Sequence, residues 1–255
     1  MAALGLVLVT ALAGCAAAPS PAPHPGGEVG AGLDGTVVVL AAASLTDVVG
    51  EIAGQVERAH PGLTVRTAFG ASSTLAAQVA AGAPADVLVT SSAETMGLAT
   101  DAVGGSPVVV ATNGLQLAVP AGNPGGVTSL ADLADPGLTV ALCAPEVPCG
   151  DLAVQVLARA GVTPAPDTYE RDVRGVLARL RLDEADAGLV YRTDVVAGAD
   201  AVEGIELPEA VQVVTEHLAL ASPTAPRPEA AAVVVAALLG PAGRRVLADA
   251  GFGLP

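Results

Sequence analysis

The chain has 255 residues, of which 52% are hydrophobic and only 2% aromatic, and its formal net charge is −15. That length serves one large domain or two lobes of about 100 residues each, cored by Ala, Val and Leu rather than by aromatic side chains. The acidic balance argues against nucleic-acid binding, which needs clustered Lys and Arg. It also means that an anionic ligand would have to be held by local dipoles against long-range repulsion.

Leu4 to Leu12 is a short apolar run, of signal-peptide length and too short for a membrane span of about 20 residues. It leads into Leu12-Ala13-Gly14-Cys15, which resembles a bacterial lipobox. That resemblance implies a lipoprotein signal over residues 1–15, a lipidated Cys15 and an anchor on the outer face of the cell membrane. No Lys or Arg precedes the apolar run; basic residues encoded upstream of Met1 would supply that part of the signal. Residues 16–35 are rich in Ala, Pro and Gly and read as a flexible tether. With Cys15 set aside, Cys143 and Cys149 remain, six positions apart. Such a pair is a disulfide candidate in an oxidising compartment, and closing so short a loop is worth about 2 kcal/mol on the chain-entropy model. The Cys spacing fits no zinc pattern and the three His do not add one, so no metal cation is expected.

The run from Val37 to Ala42 is continuously apolar, as a buried parallel strand requires. Ser44 is placed to cap a helix from Leu45 to His60, with Leu45, Val48, Val49, Ile52 and Val56 at helical spacing and Pro61 as its stop. Leu63 to Phe69 alternates as a strand, and a helix opens at Gly70-Ala71-Ser72-Ser73-Thr74 and runs to Gly82. Asp86 to Thr90 reads as the next strand, with Ser91-Ser92 as a possible cap beyond it. Pro107 to Pro120 is extended and broken at Asn113-Gly114. A second series follows: a helix near Ser129 to Leu133, a strand from Leu138 to Cys143, helices from Gly150 to Ala160 and Val173 to Leu182, and a strand from Ala187 to Tyr191. Val211 to Ala221 is extended again, and Pro228 to Ala250 reads as two helices. The fold class is therefore α/β, with two doubly wound lobes joined by a two-strand hinge. Lobe I is expected to take residues 36–114 and 216–255, and lobe II residues 115–215. Ligands of such a clamp bind between the lobes, at strand carboxyl ends and helix N-termini.

Ser44 and Ser72-Ser73 each stand where a strand end turns into a helix. A hydroxyl, free amide N–H groups and the positive helix end meet at such places and bind anions; ordinary helix capping explains the same serines. Asp47, Asp151 and Asp172 lie close by, either as first-turn charges at helix starts or as acceptors for a protonated oxyanion such as phosphate.

Several segments together resemble the periplasmic molybdate-binding proteins, a family of type II periplasmic binding proteins. They are Ala41-Ala42-Ala43-Ser44-Leu45-Thr46-Asp47; Phe69 to Leu75 with Gly82 to Val87; Ala144 to Gly150; Asp172 to Ala178; and Glu184 to Asp194, with Gly251-Phe252 at the end. The match runs in order from about residue 36 to 252. It implies an extracytoplasmic binding protein, not an enzyme, that captures molybdate or tungstate and delivers it as a monomer to the permease of an ABC transporter. It further implies ligation by the hydroxyls of Ser44 and Ser72, by the backbone N–H groups of Cys149 and Val173, and by the phenol of Tyr191. Cys149 stands where family members can carry Ala; the amide is what the role needs, and a disulfide to Cys143 would fix its loop. No cofactor is implied.

Three rivals stand beside this reading. The same fold could take sulfate or another tetrahedral oxyanion. An exported serine hydrolase would need a nucleophile motif, but Gly-x-Ser-x-Gly is absent and only His60 and His217 could serve as base. A lipoprotein of purely structural role would show no ligand response.

Overall fold

The structure, a computed structural model, describes residues 33–255 and Met1. The signal segment with Cys15, and residues 16–32 of the expected tether, lie outside the described residues.

The first half comprises β1 (Gly35–Ala42), a 3-10 turn (Ala43–Leu45), α1 (Thr46–Ala59), β2 (Leu63–Gly70), α2 (Ser72–Ala80), β3 (Val87–Thr90) and α3 (Ala93–Val103). Then come β4 (Val108–Pro120), β5 (Val140–Cys143), α4 (Pro148–Ala160), β6 (Thr168–Glu170), α5 (Val173–Arg181), β7 (Ala187–Tyr191), α6 (Arg192–Ala197) and β8 (Val202–Ile205). The chain ends on β9 (Val214–Ala221), α7 (Pro228–Leu239) and α8 (Pro241–Asp249).

The strands run in the order β2-β1-β3-β9-β4-β7-β5-β6, with β8 added on β4. β1 is parallel to β2 and β3, and β5 is parallel to β6 and β7. Between these parallel sets lie β4 and β9, antiparallel to each other. This is the mixed α/β fold with two doubly wound halves that the sequence leads one to expect.

β1 reads as an uninterrupted apolar run because both of its faces are covered. Side chains alternate across the sheet. Val37, Val39 and Ala41 therefore join Ile52 and Val56 of α1 and Val234 and Leu238 of α7. Leu40 points the other way, among Leu75 and Val79 of α2 and Met96 of α3. The second half has its own core, in which Leu142 and Leu189 of the sheet meet Val156 of α4 and Leu180 of α5. Removing a leucine from either cluster would cost about 2–5 kcal/mol.

Two local expectations are corrected. Asn113-Gly114 does not break β4, which continues through it and changes partner there. Val108 to Gly114 pair with β9, and Leu115 to Pro120 with β7 and β8. Asn113 is buried, donates to Thr193 Oγ1 at 2.9 Å and accepts from the Gly114 N–H at 3.0 Å. Its side chain is thus spent on locking the strand, and Gly114 has no need of the positive φ that makes Asn-Gly a turn. Ser44 is not the cap of α1 either. It lies inside the 3-10 turn that precedes the helix, and the N-cap is Leu45, without a side-chain bond. Ser92, by contrast, does cap α3 and accepts the Thr95 N–H. β6, α6 and β8 are 3, 6 and 4 residues long, too short to show a period in the sequence.

Candidate functional site

One small cavity is lined by Ser44, Ser72, Cys149, Val173 and Tyr191 together with Ser91, Asp172 and neighbouring backbone. All five residues implied by the sequence motifs thus meet, although Ser44 and Tyr191 are separated by most of the chain. The space open to the centre of a water-sized sphere is about 20 Å³, little more than the 10–15 Å³ that one water needs. An organic solute does not fit such a space; a small inorganic ion does.

Each donor is presented by the way its segment folds. Ser44 follows β1 and is buried, with its Oγ 3.2 Å from His217 Nε2. Ser72 is the first residue of α2, whose N-cap, Ala71, offers no side-chain bond. The Ser72 Oγ accepts the Ser91 N–H at 3.0 Å and lies 3.0 Å from the Ser91 hydroxyl.

The first turn of α4 leaves one amide over. Pro148 occupies its start and has no N–H, while Gly150 and Asp151 both donate to the Val147 carbonyl at 2.9 Å. The Cys149 N–H lies between them and reaches no carbonyl of its own helix. A disulfide joins Cys149 to Cys143 at the end of β5, so the strand and the helix start are stapled together. Gly150 is demanded by the same packing: a Cβ there would collide with the Ala144 carbonyl oxygen. At α5, Asp172 is the N-cap and its carboxylate accepts the Gly175 N–H at 3.1 Å. The Val173 amide remains at the helix end, where the dipole favours an anion.

Tyr191 closes β7. Its ring is buried, and its hydroxyl has no hydrogen-bond partner among the described residues. Burial pushes the phenol well above its usual range, and the charges of Asp194 and Asp151 add to it. The phenol therefore keeps its proton and can donate.

The three carboxylates near the site each accept a bond from the protein itself. Asp47 receives Arg174 Nη2 at 2.7 Å, Asp151 receives Gln155 Nε2 at 2.8 Å, and Asp172 caps its own helix. Arg174 does not line the cavity. The cavity wall thus combines neutral donors with one carboxylate, that of Asp172. Among the described residues no group of three His, Cys, Asp or Glu could hold a metal ion.

Two residues of the site escape a reading of the sequence. Ser91 follows β3 just as Ser44 follows β1, and that shared position was the signal available. His217 lies mid-strand in β9, where the sequence offers it only as a candidate base; no local pattern ties it to Ser44.

The family model of the bacterial extracellular solute-binding proteins matches residues 37–253. A relative from Mycobacterium tuberculosis strain H37Rv, the molybdate-binding protein ModA, is 36% identical over 98% of this chain and 95% of its own length. The Escherichia coli K12 protein of the same name is 36% identical over 64% of this chain and 68% of its own. Among solved structures, the periplasmic molybdate-binding protein of Azotobacter vinelandii superposes with a TM-score of 0.74 at 22% identity, covering 86% of this chain and 99% of that one. The sulfate-binding protein SubI of M. tuberculosis H37Rv gives 0.71 at 18% identity, over 85% and 86%. With its sequence matched over nearly the whole folded part and its fold shared with such proteins, this chain belongs to the family of bacterial extracellular solute-binding proteins.

Proposed function

We propose that this protein captures molybdate or tungstate outside the cytoplasm and hands it to the membrane permease of an ABC transporter. The observation that carries the reading is the cavity itself, sized for a small ion and lined mostly by neutral donors, its one charged side chain, Asp172, accepting the Gly175 N–H at the start of α5. Molybdate is a dianion at neutral pH and asks only for donors. A hydrogen bond to a charged group contributes about 1.5–3 kcal/mol, so several convergent bonds in a dry cavity hold the ion without Lys or Arg. Ser44, Ser72 and Tyr191 would donate hydroxyls; Cys149 and Val173 would donate amides. The names of the ModA relatives support the same ligand.

The strand pairing supports residues 36–114 and 216–255 as one lobe and 115–215 as the other, because β4 changes partner at Gly114, opposite Val214. In this reading β4 and β9 form the hinge, and the lobes close as a monomer on the ion. Cys15 would carry the lipid and residues 16–35 the tether to the membrane. A catalytic use of the Ser44–His217 pair is disfavoured. Burial drives the imidazole down to about 3, and its Nδ1 has no orienting partner among the described residues, so it is a poor place to hold an abstracted proton.

Calorimetric titration with molybdate, tungstate, sulfate and phosphate tests the reading. Tight binding of the first two and far weaker binding of sulfate is expected. Equal affinity for sulfate would replace the assignment with a general oxyanion receptor, and no heat from any ion would return the protein to a structural role.

A further inference from the structure

His217 is a fully enclosed polar side chain beside the cavity. It is 0% exposed on β9, and its Nε2 lies 3.2 Å from Ser44 Oγ. Only two Phe and two Tyr occur in the chain, and one of each packs edge-on against this imidazole: Tyr191 at 5.9 Å and Phe252 at 5.2 Å between ring centroids. The ring is thus clamped between a cavity residue of the second half and the C-terminal Phe, with its Nε2 aimed at a cavity residue of the first.

We propose that His217 is a positioning residue that holds the Nε2–H tautomer, donates to Ser44 Oγ and so turns the Ser44 proton toward the bound ion. The proposal rests on the molybdate reading for the identity of the ion and on geometry for the rest. A neutral imidazole has one N–H and one bare nitrogen. The Nδ1 atom has no hydrogen-bond partner among the described residues. With Nδ1 protonated, a buried N–H would be orphaned; with Nε2 protonated, only a bare acceptor is left unpaired. Buried orphaned donors are the rarer and more costly case. Burial also keeps the ring from taking a second proton.

The consequence falls on Ser44. In the other tautomer its hydroxyl would donate backward to Nε2 and turn lone pairs on a dianion. With Nε2–H behind it, the serine oxygen already accepts from the ring. The Ser44 proton then has the cavity as its remaining direction, because Ser44 is only 4% exposed and lines that cavity. Ser72 is backed in the same way by the Ser91 N–H at 3.0 Å. Ser44 therefore faces the ion as a donor and offers no lone pair to the proton of a protonated oxyanion.

The test joins a spectrum to a binding series on the folded protein. Long-range 1H–15N correlation of the imidazoles, with the His217→Gln spectrum to assign the signal, should show His217 protonated at Nε2 and bare at Nδ1. His217→Met keeps bulk and removes the donor; it should weaken molybdate binding by at least about tenfold, one lost charge-assisted bond, and narrow the preference for molybdate over phosphate. His217→Gln can place an amide donor near Ser44 and should recover most of that loss, with melting curves confirming that both variants fold. A wild-type ring protonated at Nδ1 overturns the proposal whatever binds, and so does a folded His217→Met that binds molybdate within about twofold of wild type. If His217→Met does not fold, the spectrum and the Gln variant decide. A wild-type protein that takes up no ion while showing the Nε2–H spectrum overturns the molybdate reading and leaves the tautomer standing.

Discussion

Arg174 at the start of α5 reaches Asp47 in the first turn of α1, with Nη2 2.7 Å from Oδ2. The two helices carry opposite sides of the cavity wall: α1 follows Ser44 and α5 begins at Val173. The same guanidinium holds Nε 3.0 Å from Oδ1 of Asp194, a carboxylate with no exposed surface. One cation beside the site thus serves two carboxylates and stays out of the cavity wall.

Arg174→Ala should accordingly harm the fold more than the site. The Asp47 pair is half in solvent, and such pairs contribute about 0–1 kcal/mol. The Asp194 side is buried, and stripping a buried charge of its partner costs about 3–5 kcal/mol unless the group takes up a proton. Chemical denaturation should show the variant clearly destabilised, while its molybdate affinity falls less than that of Ser44→Ala or Ser72→Ala. Adding Asp194→Asn should recover part of the stability. Affinity lost beyond both serine variants, with the fold intact, would mean that the ion is held by charge after all.

The titration of Asp194 has a definite sign. Burial raises its carboxyl from the ordinary 3.8 to about 7, against the pull of Arg174 and of the Tyr191 N–H. Between those pH values the folded protein binds more protons at this site than the unfolded chain. Its contribution to stability therefore falls as pH rises from about 4 to about 7, by at most about 1.4 kcal/mol per pH unit. Asp194→Asn removes this slope, so the variant should gain on wild type across that window in urea melts. A difference that is flat with pH would place the carboxyl in its usual range.

The Cys143–Cys149 bridge closes a loop of sequence separation 6. Replacing both cysteines with Ser should lower stability by about 2 kcal/mol. Affinity should fall only as far as the α4 start loses its place, since the Cys149 N–H survives the substitution. Intact-mass measurement of the exported protein under alkylating, non-reducing conditions checks the bond directly; two free thiols in the folded domain would remove it.

How much of this was legible depended on the range of the interactions. The buried strand β1 announced itself as an unbroken apolar run because it is covered on both faces, and α1 by its helical period because it is covered on one. The cavity was legible through its motifs: Ser44, Ser72, Cys149, Val173 and Tyr191 all line it. What failed was local detail that tertiary pairing overrides. Asn113-Gly114 has turn chemistry, yet Asn113 finds Thr193 and the strand runs on. Ser44 has capping chemistry, yet its hydroxyl turns to His217. His217 itself is one polar residue in the strand Thr215-Glu216-His217-Leu218, and only the pairing of β9 with β3 and β4 brings it behind the serine.

The site residues should separate by what their substitution deletes. Ser44→Ala and Ser72→Ala each remove a hydroxyl donor and should weaken molybdate binding by about 1.5–3 kcal/mol, roughly 10- to 150-fold. Tyr191→Phe keeps the buried ring and removes a hydroxyl that has no other partner among the described residues; it should cost a similar or smaller amount and leave stability nearly unchanged. Val173→Ala keeps its N–H and should cost affinity only through lost packing, because the side chain is buried in the second core. Gly150→Ala is the sharpest probe of the amide donors. It adds a methyl group where the Ala144 carbonyl oxygen stands, displacing the helix start that presents Cys149, while deleting no donor at all. Calorimetry should show it among the weakest binders of the series. Wild-type affinity in a folded Gly150→Ala protein would mean that the Cys149 amide does not hold the ion.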